Sequence, residues 1–228
     1  MDDIDQVHVW HIDLDGPSPG PEADLGPEES ARLAGYTHAS ARARHAVAHG
    51  ALRRLLGHAL GLPPAEVPVR RGLLGKPELA CAAGSLTFSL AHAGRHALVA
   101  LTTGRAVGVD LDHLRPGFPL DAFVRRYFPA AEQDLLLTRP PAERPLPFLQ
   151  LWTRKEALVK AAGARMALGV GQEVGVPGAT SVVRVRRPPL RGTWTVRNVP
   201  SPSGAAAVAL AGGRPYRVVA HDWATEAP

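Results

Sequence analysis

Apolar and polar residues alternate over residues 7–14, a period of two that predicts a strand, and a Gly/Pro-rich stretch at 16–21 ends it. The period then lengthens. Residues 28–33 begin a helical pattern, and over 41–60 Val47, Ala51, Leu52, Leu55, Leu56 and Ala59 fall on one stripe. This spacing predicts a long helix, closed by Gly61 with Pro63 and Pro64. Short strands are expected at 67–70, 86–90, 97–102 and 106–112. Beyond them the pattern gives helices at 121–127, 130–137 and 148–162, then strands at 181–186, 193–198, 205–210 and 216–220. Residues 140–147, rich in proline, read as a loop, and 224–228 as a frayed end. Long helices between sets of hairpin-like strands point to an α+β fold, not a doubly wound parallel sheet. Residues 86–101 and 194–210 both read strand, turn, small-residue strand, a faint echo that hints at duplicated halves.

Composition narrows this picture. A chain of 228 residues fits one large domain or two small packed halves. Apolar residues at 45% and charged residues at 21% place it among ordinary globular proteins, outside the disordered and fibrous classes. Cys81 is the only cysteine, so no disulfide forms within the chain and a reducing cytoplasm is the expected home. The start, Met1-Asp2-Asp3, has neither the basic nor the apolar region of a signal peptide. No stretch approaches the roughly 20 apolar residues that a membrane span requires. The expectation is a soluble cytoplasmic protein with no membrane partner.

The net charge of +5 suits acidic proteins, phosphorylated small molecules or nucleic acid. The arginines read as scattered and aromatics make up only 5%, which argues against a nucleic-acid module. Of 26 basic residues, only Lys76, Lys155 and Lys160 are lysines. A chain that defaults to arginine draws attention to these three, because lysine offers a compact charge able to exchange a proton.

Candidate chemistry gathers at four places. In Gly108-Val109-Asp110-Leu111-Asp112, strand alternation sends Val107, Val109 and Leu111 into the core and both aspartates to the other face. Adjacent carboxylates repel unless a cation joins them, and hard oxygen ligands suit Mg²⁺; the plainer reading is two acids on an exposed strand end. In Trp152-Thr153-Arg154-Lys155-Glu156-Ala157-Leu158-Val159-Lys160, residues 152, 156 and 160 share a helix face. Glu156 and Lys160 there are either a third ligand beside a phosphate-binding cation or a common surface pair. His92, where a strand runs into a turn, is a phosphate donor or a satisfied turn histidine. Gly75-Lys76-Pro77 is a nucleotide-facing turn or an ordinary one, but not a Walker A loop, since only two residues separate Gly72 from Gly75 and Pro77 replaces Ser/Thr. His45 and His49 have the helical spacing of zinc proteases but lack the glutamate beside the first histidine. Cys81, among small residues, reads as structural or exposed, not nucleophilic.

The order of these motifs resembles that of the surfactin-type 4′-phosphopantetheinyl transferases. That family reads Gly-Lys-Pro, Phe-Asn-x-Ser-His-Ser, Gly-Ile-Asp-Ile-Glu and Trp-x-x-Lys-Glu-Ala-x-x-Lys in turn, and the resemblance runs from about residue 28 to about 170. Arg125-Arg126-Tyr127-Phe128 with Glu132 is similar to the family's basic-aromatic helix. The resemblance implies two similar α+β halves, here 1–104 and 105–228, related by a pseudo-twofold around a coenzyme A cleft. It implies Mg²⁺ held by Asp110, Asp112 and Glu156, with Asp110 also facing coenzyme A. Glu156 would take the proton of a carrier-protein serine, and Lys160 would stabilise the leaving phosphate. His92, next to Ala91, would meet the 3′-phosphate side of coenzyme A, as would Arg32; Gly75, Lys76 and Pro77 would line the adenine pocket. Lys155 lies off the Glu156–Lys160 face and its role is open.

The partners implied are coenzyme A and acyl or peptidyl carrier proteins of fatty-acid, polyketide or peptide synthases, with the chain a monomer. Departures from the family pattern are Ala91 and Ala93 for serines, Asp112 for glutamate, His49 for an arginine, and Gly163-Ala164-Arg165-Met166 for Gly-x-Gly-Leu. They motivate a competing reading, a coenzyme A- or carrier-binding module without catalysis. A basic nucleic-acid adaptor is a third.

Overall fold

Two four-stranded sheets, each covered by one long helix, make up the fold in a computed structural model that describes residues 5–17, 20–72, 75–80 and 85–228. Cys81 and two residues of the 71–77 loop lie outside the described residues. In chain order, β1 (Asp5–Asp13) is followed by α1 (Pro27–Ala34) and α2 (Ala39–Leu60), then by a small hairpin of β2 (Val69–Arg71) and β3 (Pro77–Leu79). Next come β4 (Leu86–Ala93), β5 (His96–Thr103) and β6 (Val107–Asp112). Three helices, α3 (Leu120–Tyr127), α4 (Ala130–Leu137) and α5 (Pro145–Ala161), lead into β7 (Ser181–Val185), β8 (Gly192–Val199), β9 (Ala205–Ala211) and β10 (Tyr216–Asp222). A single turn, α6 (Trp223–Glu226), follows.

The first sheet has the order β10-β1-β5-β4 and the second β6-β9-β8-β7. All pairs are antiparallel except β1 with β10, where Val7 lies opposite Val218 in parallel register. Beneath α2, the apolar stripe meets Ile12, Phe88 and Val99; beneath α5, Leu151 and Leu158 meet Val196 and Ala207. A third core joins the sheets, with Val7, Leu98 and Ala100 from one packed on Val109, Leu111 and Val208 from the other. The Ser89 hydroxyl reinforces the join by accepting from the Val109 amide at 3.1 Å. Gly108 sets how closely α5 can lie on β6: a Cβ there would sit 2.0 Å from the Ala157 carbonyl oxygen.

The mixed α+β class is as expected, with four differences in detail. The helix expected from residue 148 begins at Pro145, because proline is tolerated in a first turn where no amide partner is needed. The end expected to fray forms α6, capped by Asp222, whose side chain accepts from the Ala224 amide at 2.9 Å, with Trp223 buried in the α2 core. β3 is present although no strand was expected there. Finally, β10 returns across the 104/105 boundary to complete the first sheet, so that sheet draws on residues from both sides of it.

Candidate active site

β6 and α5 meet at the joint between the sheets. Strand alternation buries Val107, Val109 and Leu111 in the shared core and turns Gly108 and Asp110 toward α5. On α5, Trp152, Glu156 and Lys160 are half-buried along one face, whereas Thr153, Arg154, Lys155 and Ala157 are fully enclosed. Lys160 Nζ donates to Asp110 Oδ1 at 2.7 Å. Burial raises the Asp110 carboxyl to about 7; Lys160 opposes this, and Glu156 and Asp112 add to it. Burial likewise raises Glu156, with Lys160 opposing and Asp112 adding. Three carboxylates therefore repel one another around a single ammonium. Asp112 Oδ1 also accepts from the His113 amide at 2.8 Å. Among the described residues no three carboxylates, imidazoles or thiols are assembled into a metal cage as they stand. In kind, however, this cluster of hard, mutually repelling oxygen donors fits Mg²⁺.

A cleft of about 320 Å³ opens beside these acids, lined by Gly75, Lys76, Pro77, Ser89, Glu156 and Lys160. Gly75 has φ of 84°, a left-handed conformation that suits glycine and turns the chain so that Lys76 enters the cleft. Lys76 Nζ donates to the Val107 carbonyl at 3.2 Å. Burial lowers its ammonium to about 8, Glu78 opposing and Lys160 adding. Across Pro77 lies a small recess lined by Glu29, Arg32, His49 and Arg71. The Glu29 carboxylate holds Arg53 and accepts from the Gly26 amide at 3.1 Å. Burial alone would raise that carboxyl, but His49, at 3.9 Å too distant for a hydrogen bond, and Arg53 hold it down at about 2.

Imidazoles form the third wall. The His45 and His49 rings lie 4.1 Å apart, and His45 Nδ1 is 3.2 Å from the Tyr36 hydroxyl. Among the described residues, His45 Nε2 and His49 Nδ1 are buried without a hydrogen-bond partner. Burial first, then the charges of His49, Arg32 and His92, lowers His45 to about 4. His92 stands at the mouth, its ring still reaching solvent; burial on its inner side, then Lys160 and His49, lowers it. On the far side of Asp112, a pocket of about 230 Å³ is walled by Phe118, Phe123, Phe148 and Trp152.

The structure thus brings Gly75, Lys76, Pro77, Arg32, His92, Asp110, Asp112, Glu156 and Lys160 around one joint. Ala91 is not among them. Neighbouring strand residues face opposite ways, so its methyl group is buried in the core between the sheets while His92 looks outward. The role left open for Lys155 is structural: its ammonium pairs with Glu132 at 2.6 Å, donates to the Gln172 carbonyl and lies 4.7 Å from the Phe128 ring centre. Beside it, Arg154 donates to the carbonyls of Val176, Ala179 and Val196. The two cations pin the segment after α5 to the helix. Sequence reasoning missed Tyr36, Glu29 and the pairing of His45 with His49. The last was legible in their four-residue spacing.

The family model described as the 4′-phosphopantetheinyl transferase superfamily matches residues 106–207, which span the acids and α5. The 4′-phosphopantetheinyl transferase HetI of a Nostoc species is 34% identical over 214 residues, covering 91% of this chain and 89% of its own. The chain belongs to the 4′-phosphopantetheinyl transferase superfamily. It is an enzyme of that family. A putative 4′-phosphopantetheinyl transferase of Synechocystis is also 34% identical, over 75% of this chain and 70% of its own. A 4′-phosphopantetheinyl transferase of Bacillus subtilis is 25% identical over 71% and 73%. No described helix is long and apolar enough to cross a membrane.

Proposed function

We propose that this transferase moves 4′-phosphopantetheine from coenzyme A to a serine of an apo acyl or peptidyl carrier protein, with Mg²⁺, releasing 3′,5′-ADP. The observation that carries the reading is the convergence of Asp110, Glu156 and Lys160 beside the cleft of Gly75, Lys76 and Pro77. Coenzyme A would lie along that cleft, between halves related by a pseudo-twofold, each with a four-stranded sheet and a long helix. The 3′-phosphate would face Arg32, His49 and His92, where His49 Nδ1 has no hydrogen-bond partner among the described residues. Asp110, Asp112 and Glu156 would hold Mg²⁺, which when bound neutralises the pyrophosphate and orients it for displacement.

The remaining work belongs to side chains. Glu156 has a raised carboxyl and so has the basicity to accept the serine proton, directly or through water. The serine oxygen forms its bond to the β-phosphorus as the bond from that phosphorus to the 5′-phosphate oxygen of the leaving 3′,5′-ADP breaks. Lys160, 2.7 Å from Asp110 in the free protein, would turn to meet the charge that develops on this oxygen. The reading places the chain in the surfactin-type group, as a cytoplasmic monomer serving polyketide, peptide or fatty-acid synthases.

Intact mass spectrometry of apo carrier proteins incubated with the protein, coenzyme A and Mg²⁺, beside an EDTA control, tests it. Addition of one phosphopantetheine, lost with EDTA, is the expected result. No addition across fatty-acid, polyketide and peptide carriers, with coenzyme A still bound, would leave a binding module without catalysis.

A further inference from the structure

β7 is the free edge of the second sheet, and it carries a concentration of charge that no carboxylate among the described residues pairs with. Arg184 and Arg186 project from its end, and Arg187 and Arg191 from the turn into β8; all four are exposed. None of the four side chains makes an ion pair or hydrogen bond among the described residues, although ten other lysine or arginine contacts with carboxylates are formed there. Arg184, Arg186 and Arg187 line a cleft of about 590 Å³ whose opposite wall is the segment after α5, including Leu168 and Gln172. Its exposed apolar residue is Leu168, at 53%, with Val185 and Leu190 buried behind the arginines.

We propose that this cleft docks the acceptor protein of the transfer reaction through an acidic, amphipathic helix. The inference rests on the function proposed above. Four exposed guanidinium groups spread along an edge suit a macromolecular surface better than one small anion, which would need converging buried donors. The exposed Leu168 gives an apolar helix face something to cover, and the cationic rim selects acidic flanks. Among the described residues no aromatic side chain lines the cleft, which argues against the stacking platform of a single-strand nucleic-acid groove.

Position supplies the second argument. The segment after α5 is a shared wall: Gly163, Ala164 and Met166 line the candidate active-site cleft, and Ala167, Leu168, Gly171 and Gln172 line the arginine cleft. Lys155 ties this wall to α5 through the Gln172 carbonyl. A protein seated on the arginines therefore touches the same segment that lines the candidate active-site cleft.

The test measures binding of apo acyl carrier protein to the intact protein and to two triple variants at positions 184, 186 and 187. Arg184→Glu/Arg186→Glu/Arg187→Glu should weaken binding at least about tenfold and flatten its dependence between about 50 and 300 mM salt. The corresponding lysine triple variant should retain binding, and coenzyme A affinity should stay unchanged in both. Unchanged carrier binding after charge reversal would overturn the proposal, as would no carrier binding by the native protein at low salt. Tighter binding of a short DNA duplex than of the carrier, through the same arginines, would also overturn it. The two readings fail separately. Carrier bound through the arginines but never modified would sink the reaction and keep the surface; modification with a carrier KM indifferent to charge reversal would do the opposite.

Discussion

α2 and α5 each lie on a four-stranded sheet and each turns charge both inward and toward the joint. On α2, the inward cation is Arg53, which holds Glu29 and donates to the carbonyls of Pro64 and Val67 at 2.8 and 3.1 Å. On α5, Arg154 and Lys155 take carbonyls and Glu132 in the same manner. The joint-facing sides differ. α2 offers two imidazoles, His45 and His49, while α5 offers a carboxylate and an ammonium, Glu156 and Lys160. Lys155 and Lys160 are the same residue type five positions apart, one fully enclosed and the other 30% exposed along its side chain. Neighbours decide what a lysine does: several enclosed partners make it a clamp, and a single partner beside an open cleft leaves it available.

Removing the acids at the joint is the sharpest way to separate the two faces. Asp110→Ala or Glu156→Ala should lower transfer by at least about 10³-fold while leaving the unfolding midpoint close to that of the native protein. Steady-state assays beside thermal melts check this, and normal activity in either variant would sink the assignment. The converse holds for the inward face. Lys155→Met leaves Glu132 buried and unpaired, and should cost about 3–5 kcal/mol in denaturant unfolding. The double variant Lys155→Met/Glu132→Leu should recover most of that loss; no recovery would mean that the pair is not the source of it.

On α2 the corresponding charge is testable by pH. Glu29 is held at about 2, against about 4.5 when unfolded, so its contribution is complete above pH 4.5 and fades as pH falls through 2. Native protein should lose about 2–3 kcal/mol over this window that Glu29→Gln does not, measured as urea unfolding at stepped pH. The smallest effect belongs to the movable lysine. Lys160→Ala should reduce kcat by about 10- to 100-fold and change coenzyme A affinity by less, because it acts on charge that develops during transfer. A pure binding defect would count against the leaving-group role.

Legibility in the sequence followed what periodicity can encode. The stripe on α2, the alternation around Asp110 and the face shared by Trp152, Glu156 and Lys160 are local geometry, and the 100° step per residue already set Lys155 apart. Pairing partners are not local, so nothing in residues 216–220 announced that they would lie beside β1. Proline misled in the opposite sense, because Pro145 reads as a breaker unless the start of the helix is already known. Ala91 drew attention by standing next to His92, yet adjacency along a strand means opposite faces. Arginines that looked scattered in the chain gather at Arg184, Arg186, Arg187 and Arg191, because alternation and one turn bring them to a single edge.

The return of β10 to β1 bears on how the molecule is made. Val7 pairs with Val218, so the first sheet is incomplete until residues 216–222 have left the ribosome. At about 5–20 residues per second, β1, α2, β4 and β5 wait on the order of ten seconds with one edge of β1 open. Such an edge is a template for pairing with another nascent chain, and closing it joins residues far apart in sequence, a slow step by contact order. Expression at lower temperature, or with slower elongation, would act on this interval of exposed edge and not on the stability of the finished fold.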